Sequence, residues 1–165
     1  MKFLALAATA SAMTYELNTF RPENWANIYK AMLTEEWSMT PAPGAGTVTW
    51  SQCPDQAGVW TFDTKDSTYS PNPFKKGNTV SFNLVGTESQ PIHIDKYSVK
   101  VSLGSKVIDT LTFPGGDFTN TWAFSLSEKL PIIAPSGHYT INAVGTGSTG
   151  GVSGTVMCGQ AQFDL

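Results

Sequence analysis

Basic residues are scarce in this 165-residue chain: 10 Lys and Arg stand against 13 Asp and Glu, giving a formal net charge of −3. There is no basic stripe of the kind that holds nucleic acid. Histidine and cysteine are scarcer still, at two each. His93 and His138 have no Cys/His cluster at metal-ligand spacing beside them, so neither a zinc site nor any other cofactor is expected. No nucleophile elbow is present, and His138 follows a Pro-Ser-Gly turn without a recognisable partner, so the chain is not read as an enzyme. Asp55, Asp109 and Asp117 read as solvated acids at loops and strand edges. No run approaches the roughly 20 apolar residues that a membrane-spanning helix needs. Charged residues make up only 14% of the sequence, and the abundance of Gly, Ser, Thr and Asn resembles extracellular β proteins.

What is present begins with a secretory pattern: Lys2, an apolar run over 3–10, then the small residues Ala10-Ser11-Ala12. Residues 1–12 therefore read as a signal peptide cleaved after Ala12, with a short buried helix as the alternative. The route implied is the secretory pathway, ending outside the cell or in the endosomal or lysosomal lumen. In such an oxidising setting Cys53 and Cys158 are free to pair, and two buried free thiols are the other reading. A bridge between them would pin the first strand of the body to one of the last, contributing up to roughly 4–5 kcal/mol in the chain-entropy model.

Residues 13–46 differ in style from the rest. Trp25, Ile28, Tyr29, Met32, Leu33 and Trp37 recur at helical spacing after Pro22-Glu23, which predicts one amphipathic helix over 22–37. Two prolines and two glycines over 40–46 then read as a linker. The helix is open to several readings: a propeptide, a lid, a docking element for a membrane or protein partner, or simple packing on the outside of the body. From residue 47 onward, strands are expected at 47–53, 58–64, 79–86, 94–103, 106–113, 119–126, 138–144 and 154–163. Their alternation is apolar-in and polar-out: Val80, Phe82 and Leu84 share a face, as do Tyr97, Val99, Val101 and Leu103, and Trp122, Phe124 and Leu126. Pro114-Gly115-Gly116, Pro135-Ser136-Gly137 and the run 145–151 read as turns, the last as a mobile one. The fold class is all-β: an immunoglobulin-like sandwich of 7–8 antiparallel strands preceded by one helix.

The stretch Ser70-Pro71-Asn72-Pro73 with Gly77 and the alternating strand after it, then Gly86-Thr87, Pro91-Ile92 and Tyr97-Ser98-Val99-Lys100-Val101, resembles the ML (lipid-recognition) domain family. Pro131, the turn Ala134-Pro135-Ser136-Gly137-His138-Tyr139 and Cys158 extend the likeness, which covers 47–165. In order and spacing it is nearest to the phosphatidylglycerol/phosphatidylinositol transfer and Niemann-Pick sterol-binding branches. The resemblance implies a cavity between the sheets for a phospholipid, sterol or glycolipid tail. Its lining would be Val80, Phe82, Leu84, Val99, Val101, Leu103, Ile108, Leu111, Phe113, Trp122, Phe124, Leu126, Ile133, Tyr139 and Ile141. Pattern alone does not support a cavity and favours these residues filling an ordinary closed core. Lys75, Lys76, Lys96 and Lys129 are either headgroup contacts at the mouth or solvated lysines. Cys53 and Cys158 match the family's bridge from first to late strand, whereas the additional bridges of many relatives have no counterpart here. The function expected is lipid binding and transfer with transient membrane-surface contact. The alternative is a non-carrier module docked to a protein partner or membrane surface through residues 22–37.

Overall fold

The computed structural model describes residues 14–34, 44–53 and 60–165. The proposed signal peptide, Trp37 and Asp55 lie outside them. In chain order the elements are β1 (Thr14–Glu16), the helix α1 (Trp25–Thr34), β2 (Thr49–Gln52), β3 (Trp60–Ser70), β4 (Thr79–Glu88), β5 (Ile92–Leu103), β6 (Lys106–Phe118), β7 (Thr121–Lys129), β8 (His138–Thr149) and β9 (Val152–Asp164). The strands form two facing sheets, the first of order β1-β7-β4-β3 and the second β2-β9-β8-β5-β6. Strands β2 to β9 form the eight-stranded antiparallel sandwich that the alternation predicts, and β1 adds a parallel edge to β7.

The inward rows are those read from period two. Val80, Phe82 and Leu84 of β4, Val99, Val101 and Leu103 of β5, Trp122, Phe124 and Leu126 of β7, and Tyr139 and Ile141 of β8 are all buried. Aromatic rings fill the centre: Tyr97 stacks on Phe124 at 4.2 Å, Trp60 meets Trp122 edge-on at 5.5 Å, and Tyr139 stacks on Phe163 at 5.6 Å. Such pairs add to simple area burial through quadrupole complementarity. Cys53 and Cys158 are disulfide-bonded with Cα atoms 5.4 Å apart, tying the short strand β2 to β9.

Two glycine-rich segments expected as turns are strand instead. Strand β6 runs straight through Pro114, Gly115 and Gly116, with Gly116 opposite Ile94 and Pro114 opposite Lys96 of β5. It is an edge strand, so the missing proline N–H costs no ladder bond. Gly115 is there for close approach, since a Cβ would run into the backbone of Ile94. Likewise β8 continues to Thr149, and only Gly150 and Gly151, with φ +54° and +80°, make the hairpin turn into β9. Gly147 lies against the His93 backbone, where no side chain fits.

Residues 14–34 are woven into the domain, not merely tethered to it. Thr14, Tyr15 and Glu16 pair with Ser125, Leu126 and Ser127, and Leu17 N–H donates to the Ser127 carbonyl at 2.8 Å. Tyr15 then bridges the two sheets at their β7/β6 edge, stacking on Phe113 at 4.7 Å and donating its hydroxyl to the Pro114 carbonyl. Helix α1 packs outside the second sheet against β6, burying Ile28 and Ala31. Tyr29 and Leu33 were expected on that apolar stripe, yet they are 62% and 83% exposed. At about 100° per residue they lie roughly 100° and 140° round the helix from Ile28, beyond the packed face.

Candidate functional site

The inward row of β4 ends on an acid, Glu88, and that of β7 ends on another, Glu128. Because the strands are antiparallel, with Val80 opposite Glu128 and Gly86 opposite Trp122, the apolar interior carries one buried carboxyl near each end. Burial raises the pKa of both, and Glu128 is raised further by the charge of Asp109. Among the described residues, neither oxygen of Glu88, nor the Trp60 indole N–H opposite, has a hydrogen-bond partner. The neighbouring Trp122 indole N–H donates to the Tyr97 hydroxyl at 2.6 Å. Burial drives the Tyr97 pKa upward, so this hydroxyl stays neutral.

At the Glu128 end the gap between sheets is closed by a strap that belongs to neither, residues 17–21. Leu17 is fully buried and Phe20 is half-buried, its ring 6.3 Å from Tyr139. Beneath the strap lies a cavity of about 10 Å³ lined by Leu17, Thr19, Phe20, Val80, Phe82, Val101, Glu128, Leu130, Tyr139, Ile141 and Phe163. That volume holds about one water molecule. Polar bonds latch the strap from both sides. The Thr19 N–H donates to Glu128 Oε2 at 2.9 Å, and Asn24 Nδ2 donates to the Thr19 carbonyl at 3.0 Å. Arg21 grips Asp109 with two parallel bonds of 2.8 Å, the fork geometry that suits guanidinium to carboxylate.

Asp109 therefore corrects the expectation of a solvated acid. Its side chain is 3% exposed, because it sits beside the β5/β6 register shift where both Ile108 and Asp109 turn inward. Asp117 also has a partner, His93 Nδ1 at 2.6 Å, and His93 Nε2 lies 3.2 Å from Asp95. The hydrogen bond to Asp117 is the main cause of a raised His93 pKa. His138, expected without a partner, meets Asp164 at 2.9 Å through the β8/β9 register. Among the described residues, no group of His, Cys, Asp and Glu is placed to hold a metal ion.

Of the fifteen residues that the resemblance assigns to a lining, Val80, Phe82, Val101, Tyr139 and Ile141 border this cavity. Leu84, Val99, Leu103, Ile108, Trp122, Phe124 and Leu126 are packed in the continuous core, and Leu111 and Phe113 are half-buried at its β6 edge. Ile133 is a correction: it is 65% exposed, on the loop after β7, because Pro131 ends the strand's alternation before that residue is reached. The reading from sequence missed Leu17, Thr19, Phe20, Arg21 and Glu128. The only sequence signal for the strap was Leu17 and Phe20 bracketing two polar residues ahead of Pro22.

No protein-family model and no curated protein matches the chain. A similar solved structure is the solution structure of a protein provisionally classed as late embryogenesis abundant (LEA), 17% identical with a TM-score of 0.41, the match covering 86% of this chain and 82% of that one.

Proposed function

We propose that this protein binds and transfers lipids in the secretory pathway, outside the cell or in an endosomal or lysosomal lumen, holding a phospholipid, sterol or glycolipid tail between its two sheets. The observation that carries the reading is the strap: one end of an aromatic-rich apolar interior is closed by an irregular segment held by polar latches, with a cavity directly beneath it. The disulfide is compatible with an oxidising compartment. The likeness of the motifs to the ML family supports the ligand class.

The cavity of about 10 Å³ beneath the strap is too small for a tail, so uptake at that end requires Leu17 and Phe20 to leave. The tail then takes their place against Val80, Tyr139 and Phe163. A dozen buried methylenes gain on the order of 10 kcal/mol gross at roughly 0.8 each, before ordering costs. That exceeds what the strap gives up, since two apolar side chains are worth about 1.5–3 kcal/mol apiece. The protein acts by shielding the tail from water and performs no chemistry on it. Transfer of a fluorescent phospholipid or sterol between donor and acceptor vesicles should accelerate in proportion to added protein; an unchanged rate at molar excess over lipid refutes the reading.

A second reading has one observation in its favour. Tyr29 and Leu33 stand exposed on α1, and Leu33 lines a surface groove of about 460 Å³ with Asn27, Lys30, Lys106 and Val107. A non-carrier module docked through α1 would use that face. Tyr29→Ser with Leu33→Ser would then abolish partner association, while lipid transfer by a carrier would be unchanged.

A further inference from the structure

The loop 131–137 links β7 to β8 at the strap end of the sandwich: Leu130 before it borders the cavity, and Tyr139 after it donates its hydroxyl to the Pro135 carbonyl at 2.8 Å. Its base is buried at Ala134, Pro135 and Ser136, yet its tip exposes Ile132 at 79% and Ile133 at 65%. Two adjacent isoleucines held out in water at a loop tip keep most of their apolar surface unburied. The loop is braced by the turn before β4. Gly77 N–H donates to the Leu130 carbonyl at 2.7 Å, Leu130 N–H donates to the Asn78 carbonyl at 2.9 Å, and Lys76 Nζ reaches Ser136 Oγ at 2.7 Å. Ile132 lies directly over Gly77, 3.4 Å from where a Cβ on that residue would stand.

The charge around this tip differs from that of the whole chain. Residues 71–79 and 129–138 contain Lys75, Lys76, Lys129 and His138 and not one Asp or Glu, in a protein of net charge −3. Asp164 adjoins this cluster, meeting His138 Nδ1 at 2.9 Å. Lys75 and Lys129 are exposed, and Lys76 is half-buried against Ser136. An apolar tip within a basic ring is complementary to one kind of surface, a bilayer whose headgroups are anionic and whose acyl boundary lies a few ångströms deeper.

We propose that Ile132 and Ile133 insert into the interface of an anionic phospholipid bilayer while Lys75, Lys76 and Lys129 meet the lipid phosphates. Docking in this pose sets the strap end of the sandwich toward the membrane. The docking face rests on the lipid-carrier reading for its purpose, but it is tested apart from it.

The test is flotation of the full chain with vesicles of phosphatidylcholine alone and of a phosphatidylcholine–phosphatidylglycerol mixture. The expected result is preference for the mixed vesicles that weakens as salt is raised. Ile132→Ser with Ile133→Ser should lower partitioning at least about tenfold, and Lys75→Gln or Lys129→Gln roughly fivefold each on the mixed vesicles only, at about 1 kcal/mol per lysine. All four side chains are exposed, so unfolding midpoints should stay unchanged. Equal binding to both vesicle types, no binding to either, or unaltered binding by the double isoleucine variant overturns the proposal. So does a dimer in sedimentation that the double isoleucine variant abolishes while vesicle binding is absent. Lipid delivered from cyclodextrin, without vesicles, should load wild type and the double isoleucine variant alike; failure to load with vesicle binding intact counts against the carrier reading and leaves the docking face standing.

Discussion

Arg21→Ala isolates the latch on the strap. The guanidinium makes two 2.8 Å bonds to a carboxylate whose side chain is 3% exposed, and a third, at 3.1 Å, to the Asn18 carbonyl. Without Arg21, Asp109 keeps, among the described residues, the bond from Thr110 N–H at 2.9 Å. Removing one member of a buried pair typically costs about 3–5 kcal/mol. Arg21 is itself 29% exposed, and water can reach part of the site, so about 2–3 kcal/mol is expected. The loss should be local first. At about 1.4 kcal/mol per tenfold, 2 kcal/mol makes strap opening roughly thirtyfold more frequent, read as faster amide exchange at Leu17 and Thr19. The centre of the β5/β8 ladder should exchange at rates set by global unfolding alone. Asp109→Asn removes the charge but keeps an acceptor, so Arg21→Ala should cost at least about 1 kcal/mol less in that background. A change below about 0.5 kcal/mol, with Thr19 exchange unaltered, would refute the latch.

Three other outcomes follow from the packing. Gly86→Ala should destabilise by about 1–3 kcal/mol in chemical denaturation, because its Cβ would overlap the buried Trp60 indole, itself wedged against Trp122. Replacing Cys53 and Cys158 together with serine should cost about 2–5 kcal/mol, since the bridge closes a loop across a sequence separation of 105; a midpoint identical to wild type would contradict it. Glu88 has a folded pKa raised by burial, so the folded state holds its proton more tightly than the unfolded state does. Its contribution to stability is therefore greatest in acid and declines as pH rises from the ordinary carboxylate range through the raised value. Glu88→Gln should flatten that decline and leave the protein more stable than wild type at neutral pH, as read from unfolding midpoints across pH.

The sandwich was legible because most strands bury one face, and period two therefore survives in the sequence at Val80-Ser81-Phe82-Asn83-Leu84 and Trp122-Ala123-Phe124-Ser125-Leu126. It failed where something other than the core sets the residues. Strand β3 continues past the expected residue 64 to Ser70, but the Asp63 carboxylate accepts the N–H groups of Lys65 and Asp66, making a bulge that breaks the alternation. Strand β1 has only three residues, too few to show a period. The strap depends on partners 88 and 109 positions away, Asp109 for Arg21 and Glu128 for Thr19, and nothing local announces them. Ile133 shows the opposite failure: an apolar residue in an apolar stretch was assigned inward, whereas Pro131 and the bracing turn hold the loop tip out in solvent.

The most direct measurement is native mass spectrometry of the delipidated full chain after incubation with phosphatidylglycerol, and separately with a sterol, alongside Arg21→Ala. A complex of one lipid per chain is expected, with the variant loading faster than wild type because its strap opens more often. Bare polypeptide for both proteins with both lipids would contradict it.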